Sequence, residues 1–285
     1  MRIFLTGGTG FIGSHFLDQA LEAGYSVTAL RRSKDRQPRI AIGHNPIWID
    51  ADIDQVKADQ LHGIDTMVHL ATHTGNVPYD SLVNCIRWNL SAALVLFEQA
   101  RIAGIKRYVV AGSCFEYGRT AERFGQVPTD ACLEPTNSYA VSKAVASIAF
   151  MQWAQQHNLS MDILRVFHVF GEGEADGRFW PSLRRAALAG EDFVMTKGEQ
   201  IRDFLSVQDA ASIFLSRSKI QPREQKNACL FNIGSGNHQS LKDFAEFWWR
   251  RFEAKGSLLI GEVPYRDSEV MRFVPGQKLI IPKQI

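Results

Sequence analysis

The chain of 285 residues is 45% hydrophobic and 22% charged, a composition that is ordinary for a globular protein with a substantial core. Its formal net charge is only +2, which argues against a nucleic acid or a membrane surface as its partner. No apolar run approaches the roughly 18 residues of a membrane span. The apolar run at the N-terminus is too short for a signal peptide.

The four cysteines are scattered along the chain and form no CxxC pair. Such spacing indicates neither a metal site nor a disulfide framework. We therefore expect a reduced, cytoplasmic protein without a bound metal ion.

In the first 170 residues, short β-branched apolar segments alternate with longer helical patterns. The pattern predicts strands at residues 2–6, 26–30, 46–49, 65–71, 107–112 and 161–166. It predicts helices at residues 12–23, 81–103 and 138–157. Strands that alternate with helices are typical of the α/β class, here a Rossmann-type, doubly wound parallel sheet.

The alternation loosens after a polar, glycine-rich segment at residues 171–178, which precedes a helical run at 180–189. We expect a smaller C-terminal lobe that binds substrate. The predicted division gives residues 1–171 and 201–234 to the cofactor-binding domain and residues 172–200 and 235–285 to the lobe.

The helices at 81–103 and 138–157 are apolar on more than one side. One side can face the sheet, and the other needs a second cover. Burial beneath the C-terminal lobe is one explanation. Helix-against-helix packing in a homodimer is the other, and it is the state we expect.

The segment TGGTGFIGSH places three glycines in a GxxGxxG arrangement between the first strand and the first helix. Glycines at this position allow a tight turn and let the backbone approach a diphosphate at the helix N-terminus. The segment therefore predicts a dinucleotide site made by Gly7, Thr9, Gly10, Phe11, Ile12 and Gly13.

The second predicted strand ends in TALRRSKD, where an NAD-binding chain is expected to carry an aspartate or glutamate for the ribose. Arg31 and Arg32, followed by Ser33, stand there instead. A guanidinium group binds a 2′-phosphate with two parallel hydrogen bonds, whereas a carboxylate repels it. The segment favours NADP (NADPH) as cofactor; the alternative is a solvated basic turn.

Tyr139 and Lys143 lie four residues apart in the segment NSYAVSK and project from one helix face. A phenol with a pKa of ~10 is a poor acid or base at neutral pH, and a nearby ammonium group lowers that pKa. The pair therefore predicts proton exchange between Tyr139 and a substrate oxygen.

With these motifs, the chain resembles the extended short-chain dehydrogenase/reductase family in its nucleotide-sugar branch. Further motifs of the resemblance are VHLAT (68–72), SCFEYG (113–118), IRDFLSVQDA (201–210) and FNIGSG (231–236). The resemblance implies catalysis by Ser113, Tyr139 and Lys143, with Ser113 bonded to the carbonyl oxygen of the substrate. It also implies cofactor contacts for Asp52, Ile53, Leu70, Ala71, Thr72, Asn89 and His168. Substrate contacts are implied for His73, Cys114, Phe115, Arg178, Arg202, Arg266 and Glu269.

One motif departs from the family pattern. Where relatives have RxxNxYG, this chain reads RVFHVFG, so His168 and Phe170 replace an asparagine and a tyrosine. A histidine at a strand end is more often a hydrogen-bonded structural residue than a catalyst. For His73, a loop-stabilising role and a substrate contact are both open.

Within the family, the motifs GSCFEYG and PYRDSEVM look most like 4-ketoreductases of the CDP-abequose and CDP-paratose synthase type. This resemblance implies reduction of the 4-keto group of a nucleotide-linked 6-deoxy or 3,6-dideoxy hexose in the deoxysugar biosynthesis of lipopolysaccharide O-antigen. Dehydratases of the family carry an acid pair immediately after the catalytic serine or threonine. Cys114 and Phe115 occupy those positions here. The alternatives are an epimerase that retains its cofactor and a non-catalytic NADP-binding regulator.

Overall fold

The structure, a computed structural model, describes residues 1–220, 228–267 and 269–276. It confirms the predicted α/β fold, because seven parallel strands form one sheet with helices on both faces. Residues 277–285 of the predicted lobe lie outside the described residues.

The strands are, in chain order, β1 (Arg2–Thr6), β2 (Ser26–Arg31), β3 (Ile47–Asp50), β4 (Thr66–His69), β5 (Arg107–Ser113), β6 (Ser160–Val166), β7 (His168–Phe170), β8 (Phe193–Met195), β9 (Ile201–Ser206), β10 (Ala228–Ile233), β11 (His238–Ser240), β12 (Leu258–Ile260) and β13 (Arg272–Phe273). The α-helices are α1 (Phe11–Glu22), α2 (Leu82–Ile86), α3 (Ala92–Ile102), α4 (Ser138–Gln156), α5 (Phe179–Ala189), α6 (Val207–Ser218) and α7 (Leu241–Arg251).

The main sheet has the order β10-β6-β5-β4-β1-β2-β3 and contains every strand predicted in the first 170 residues. The direction of winding reverses between β1 and β4. In an open α/β sheet, a ligand binds beyond the carboxyl ends of the strands at this reversal point.

Each face of the main sheet has its own core. Helices α3 and α4 cover one face, where Phe97 and Phe150 are buried with their ring centroids 4.7 Å apart. Helices α1 and α6 cover the other face through Phe16 and Phe214, which are also buried. Because both faces are covered, the strands are nearly continuously apolar, as the sequence indicated.

The strand predicted at residues 65–71 is shorter in the structure. It ends at His69, and the next residues turn out of the sheet. The turn is held by Thr6, whose carbonyl oxygen accepts from the Leu70 backbone N–H and whose hydroxyl accepts from the Ala71 backbone N–H. The chain thereby leaves β4 beside the glycine-rich loop.

The helix predicted at residues 81–103 has three parts. Helices α2 and α3 are joined by a π-helical turn at Arg87–Ser91. A π turn is rare and is found most often at functional sites. Here it contains Asn89, which is buried.

A second, smaller unit adjoins the main sheet. Strand β9 pairs with β7, β11 and β13, while β8 pairs with β12 beside α5 and α7. Strands β7 and β9, which the predicted division assigns to the cofactor-binding domain, pair within this second sheet. The division at residues 171, 200 and 234 stays a prediction. Within the described ranges, no helix has both the length and the apolar character needed to cross a membrane.

Candidate active site

A cavity of about 890 Å³ opens at the carboxyl ends of β1, β4 and β5, where the winding of the sheet reverses. Most of the predicted site residues line it. From the predicted cofactor set these are Gly7, Thr9, Gly10, Phe11, Ile12, Gly13, Arg31, Arg32, Asp52, Ile53, Leu70, Ala71, Thr72, Tyr139, Lys143 and His168. From the other predicted sets they are Ser113, His73, Cys114, Phe115 and Arg178.

The glycine-rich loop lies too close to other backbone for any larger residue at two positions. Gly7 has φ +78°, and a Cβ there would lie 2.6 Å from the backbone nitrogen of Ala71. A Cβ on Gly13 would overlap the carbonyl oxygen of Gly7. Gly10 is the N-cap of α1 and provides no side-chain cap. The positive end of α1 therefore faces the cavity uncapped and suits a diphosphate.

The catalytic tyrosine is positioned by the start of α4. The side chain of Asn137 caps this helix by accepting from the Ala140 backbone N–H at 2.9 Å, so Tyr139 stands in the first turn. Its hydroxyl hydrogen-bonds with the side chains of Ser113 and Thr72. Lys143, one turn later, donates from Nζ to the carbonyl oxygen of Ala111 at 2.7 Å. Tyr139, Ser113 and Lys143 thus meet at one wall of the cavity.

Burial controls the protonation of this group. It raises the pKa of Tyr139 to about 12, against the lowering effect of the hydrogen bonds with Ser113 and Thr72. Burial also lowers the pKa of Lys143. The expected lowering of the tyrosine pKa by the ammonium group of Lys143 stays a prediction, and burial outweighs the lowering effects that are present. A phenol with so high a pKa stays protonated at neutral pH, and a protonated phenol is a proton donor.

Glu116 is fully buried and has no free oxygen. Its Oε1 accepts from the Ser113 backbone N–H at 2.8 Å and from the Ser147 hydroxyl at 3.0 Å. Its Oε2 accepts from Nε of Arg165 at 2.7 Å. The segment Cys114–Glu116 is a 3₁₀ turn, not a strand. Glu116 fixes the backbone beneath Ser113, and its oxygens are not available for proton transfer to a ligand.

The end of the cavity nearest β2 is rich in arginine. Arg31 and Arg32 line it together with Arg36 and Arg39. Nε of Arg31 donates to Oδ1 of Asp50 at 2.6 Å, and the guanidinium group stacks over Trp48 at 4.6 Å. Arg31 therefore has a carboxylate partner that its place in the sequence did not reveal.

The cavity wall toward the smaller unit combines aromatic rings with two titratable side chains that burial keeps uncharged. His168 packs against Phe115 and Phe273, and its Nδ1 is buried without a hydrogen-bond partner among the described residues. Burial keeps the pKa of His168 well below its usual value, so the ring is neutral. Burial likewise raises the pKa of the Cys114 thiol to about 12, which leaves no thiolate at neutral pH.

Five of the predicted residues do not line the cavity. Nη2 of Arg202 donates to Glu269 at 2.7 Å and to the carbonyl oxygen of Val270 at 2.6 Å. Arg266 and Ser33 also lie outside the lining. Asn89 lies behind the wall, where its amide bonds the backbone of His73 and the hydroxyl groups of Thr72 and Ser142. The binding roles of these five residues stay predictions.

His73 has one hydrogen-bond partner for its backbone and another for its ring. Its backbone is held by Asn89, and its ring Nε2 lies 2.7 Å from Oδ2 of Asp80. Hydrogen bonds from His73, Asn84 and Ser81 lower the pKa of Asp80 to about 2. His73 therefore stabilises its loop and also faces the cavity, which leaves both predicted roles open.

Two residues near the catalytic group, Tyr79 and Glu174, were not predicted from the sequence. The ring of Tyr79 stacks on Tyr139 with centroids 5.9 Å apart. Glu174 lines the cavity from the loop between β7 and α5. Neither belongs to a recognisable motif, and the only signal for Glu174 was the glycine-rich composition of its loop.

Comparison with known proteins identifies the family. The model described as the NAD dependent epimerase/dehydratase family matches residues 3–234. The chain belongs to this family. CDP-abequose synthase of Salmonella typhimurium (strain LT2) is 26% identical, over 97% of this chain and 90% of the synthase. A UDP-N-acetyl-alpha-D-glucosaminuronate decarboxylase of Bacillus cytotoxicus is 28% identical, over 86% of this chain and 78% of the decarboxylase.

A solved structure agrees with this assignment. MoeE5 in complex with UDP-glucose and NAD has a TM-score of 0.82 and 27% identity, covering 97% of this chain and 90% of that chain. The predicted membership of the nucleotide-sugar branch is confirmed. The protein is a nucleotide-sugar-modifying enzyme with a pyridine nucleotide cofactor. Relatives named for different reactions are about equally similar to the chain, so the similarity identifies the family and the groups in the site determine the reaction.

Proposed function

We propose that the protein is an NADPH-dependent reductase of the 4-keto group of a nucleotide-linked 6-deoxy or 3,6-dideoxy hexose. The observation that carries this proposal is the set of groups around Ser113. Beside Ser113 stands a protonated phenol, Tyr139, and the two positions after Ser113 hold a neutral thiol and a phenyl ring. Reduction needs only a proton donor at the oxygen, whereas dehydration needs a base and an acid at neighbouring carbons.

The cofactor fits the cavity because Gly7 and Gly13 let the loop pack against backbone where no side chain fits, and the uncapped N-terminus of α1 faces the cavity for a diphosphate. When bound, the dinucleotide supplies the hydride. Ser113 orients the carbonyl oxygen of the substrate, and Tyr139 gives that oxygen its proton. Lys143, held by the carbonyl oxygen of Ala111, lies one turn after the tyrosine and would hold the ribose of the bound cofactor.

The preference for NADPH rests on the four arginines at the end of the cavity nearest β2. Asp35 and Asp52 also line the cavity there, and Asp50 pairs with Arg31. The arginines outnumber these carboxylates, so the local charge favours a 2′-phosphate. A nucleoside diphosphate sugar is the proposed substrate, consistent with the similarity to CDP-abequose synthase and with a place in O-antigen deoxysugar biosynthesis.

The test is to incubate the protein with NADPH and a panel of nucleotide-linked 4-keto sugars, and separately with intact 4-hydroxy sugar nucleotides. We expect one NADPH oxidised per 4-keto sugar and no dehydrated product from the 4-hydroxy compounds. Formation of a dehydrated product without net oxidation of NADPH contradicts the proposal. Interconversion of 4-hydroxy epimers without net cofactor consumption supports the epimerase instead. Binding of NADPH without turnover of any sugar supports the regulator.

A homodimer is proposed from the surface of α2, α3 and α4. These helices expose Val83, Ile102 and Ile148, with 76%, 58% and 61% of each residue accessible. Apolar side chains this exposed on neighbouring helices are typical of an interface. Light scattering of the protein at micromolar concentration is expected to give twice the mass of the chain, and Ile148→Glu is expected to give the monomer. A monomeric unmodified protein would contradict the proposal.

A further inference from the structure

The loop of residues 171–178, between β7 and α5, is fastened to the first turn of α1. Nε2 of His15 donates to the carbonyl oxygen of Glu172 at 2.9 Å, so this ring nitrogen carries a proton. Nη1 of Arg39 donates to the carbonyl oxygen of Gly173 at 3.1 Å, and the Arg39 backbone N–H donates to the hydroxyl of Ser14. The loop therefore lies against the N-terminal half of α1, whose N-terminus suits a diphosphate.

Glu174 follows these fastened residues and turns its side chain into the cavity. Only 8% of the side chain is exposed, and Oε1 lies 3.5 Å from Nε of Arg178. Oε2 is fully buried and has no hydrogen-bond partner among the described residues. A buried polar atom without a partner is costly in a native structure and is often completed by a ligand.

The charges around this carboxyl group do not neutralise it. Arg178 is the charged side chain that faces it, and the distance is long for an ion pair. On the neighbouring elements, His15 of α1 and Arg39 after β2 donate their hydrogen bonds to the loop carbonyls instead. Burial raises the pKa of Glu174 to about 7, despite the lowering effect of Arg178. The group can therefore bind or release a proton near neutral pH.

We propose that Glu174 is a ligand of the cofactor diphosphate that binds as a neutral carboxyl group and donates a hydrogen bond from Oε2 to a phosphate oxygen. An ionised carboxylate in this position would repel the diphosphate and have no donor to offer. The proton comes from solvent when the dinucleotide binds and returns when it leaves. The inference rests on dinucleotide binding, which the reductase shares with the epimerase alternative, and not on the direction of the reaction.

Isothermal titration of the purified protein with NADPH tests this proposal. At pH 8.5, titrations in two buffers of different ionisation enthalpy give the number of protons taken up. The unmodified protein is expected to take up nearly one proton, and its affinity is expected to fall up to about 50-fold from pH 7 to pH 9. Glu174→Gln keeps a hydrogen-bond donor without the charge. It is expected to bind without proton uptake and to lose less than about threefold in affinity over this range.

Glu172→Gln is the matched control, because Glu172 belongs to the same loop but its side chain is exposed and does not line the cavity. This control is expected to behave like the unmodified protein. The 2′-phosphate of NADPH is present in every titration, so its own ionisation cancels between variants.

Equal proton uptake by the unmodified protein and Glu174→Gln would overturn the proposal. A large loss of affinity by Glu174→Gln below pH 7 would also overturn it, since it would mean that a carboxylate acceptor is needed. The unmodified protein alone is decisive if the variant fails to fold, because the absence of proton uptake at pH 8.5 contradicts the proposal. If proton uptake is found but no 4-keto sugar is reduced, the proposed reaction fails and the role of Glu174 stands.

Discussion

The two ends of the cavity treat positive charge differently. At the end nearest β2, Arg32, Arg36 and Arg39 are exposed to water, and Arg31 has one carboxylate partner. At the end nearest the smaller unit, Arg178 faces the buried carboxyl group of Glu174 at 3.5 Å, and behind the cavity lining the buried Arg202 is paired with Glu269. The first end is mostly a solvated set of cations, and the second is a low-dielectric wall in which burial governs the charged groups.

The difference predicts how each end responds to mutation and to salt. Solvated charges interact weakly, and salt reduces the interaction further. Buried charges interact strongly, and burial decides whether a group is ionised at all. Changes at the buried end and at the catalytic group beside it are therefore expected to be large, whereas changes at the solvated end are expected to be small and sensitive to ionic strength.

The largest effect is expected for Tyr139→Phe. This change removes the buried proton donor and keeps the ring, so turnover of a 4-keto sugar is expected to fall about 100-fold or more. Single-turnover and steady-state assays measure the loss, and fluorescence titration is expected to show unchanged NADPH affinity. Near-normal turnover would show that another group protonates the oxygen.

Tyr108→Phe is the matched control for this change. Tyr108 is fully buried in the main core, and its hydroxyl donates to the carbonyl oxygen of Ile105, away from the cavity. The same chemical change there is expected to leave turnover unaltered. A similar loss of turnover in both variants would indicate a structural defect instead of a missing proton donor.

The next largest effect is expected for Glu174→Gln on stability without ligand. Because burial raises the pKa of Glu174 to about 7, the protonated form favours folding and the ionised form opposes it. Stability from this group is complete below the unfolded-state pKa and is lost as the pH rises through about 7. Glutamine does not ionise, so the variant gains up to about 3 kcal/mol over the unmodified protein between pH 4.5 and pH 8.

Denaturant unfolding at several pH values measures this difference, and Glu172→Gln serves again as the exposed control. A difference between Glu174→Gln and the unmodified protein that does not change with pH would mean that Glu174 titrates at an ordinary pKa.

The contrast between the two ends also explains what the sequence could predict. The glycine-rich loop and the pair of Tyr139 and Lys143 are local, because one turn and one helix set the spacing of their residues. Their place in the cavity followed from the alternation of strands and helices.

Contacts that depend on long-range register were not predictable. Asp50 meets Arg31 only because β2 and β3 pair in the register that sets these two residues side by side. Glu174 reaches the cavity only because His15 and Arg39 fasten its loop. The 3₁₀ turn after Ser113 was also missed, although its capping box between Ser113 and Glu116 is local. The ion pair of Glu116 with Arg165 of β6 is the part that depends on long-range register.

The smallest effect is expected at the solvated end. Replacing Arg31 and Arg32 together with glutamine is expected to remove most of the preference for NADPH over NADH, a change of about tenfold that shrinks as salt is added. Titration with both cofactors at low and high ionic strength measures it. Equal affinities of the unmodified protein for the two cofactors would contradict the interpretation of the arginines.

Asp50→Asn sharpens this test because it is expected to act in the opposite direction. The bond from Nε of Arg31 to Asp50 holds the guanidinium plane over Trp48 and leaves both Nη groups for a phosphate. The carboxylate also opposes an incoming 2′-phosphate. Asparagine keeps an oxygen acceptor but removes the charge of the partly exposed Asp50, so the preference for NADPH is expected to rise by a few-fold, about 1 kcal/mol or less. Asp59→Asn, exposed and away from the cavity, is the control and is expected to change nothing. A loss of preference in Asp50→Asn would mean that the orientation of Arg31 contributes more than its net charge.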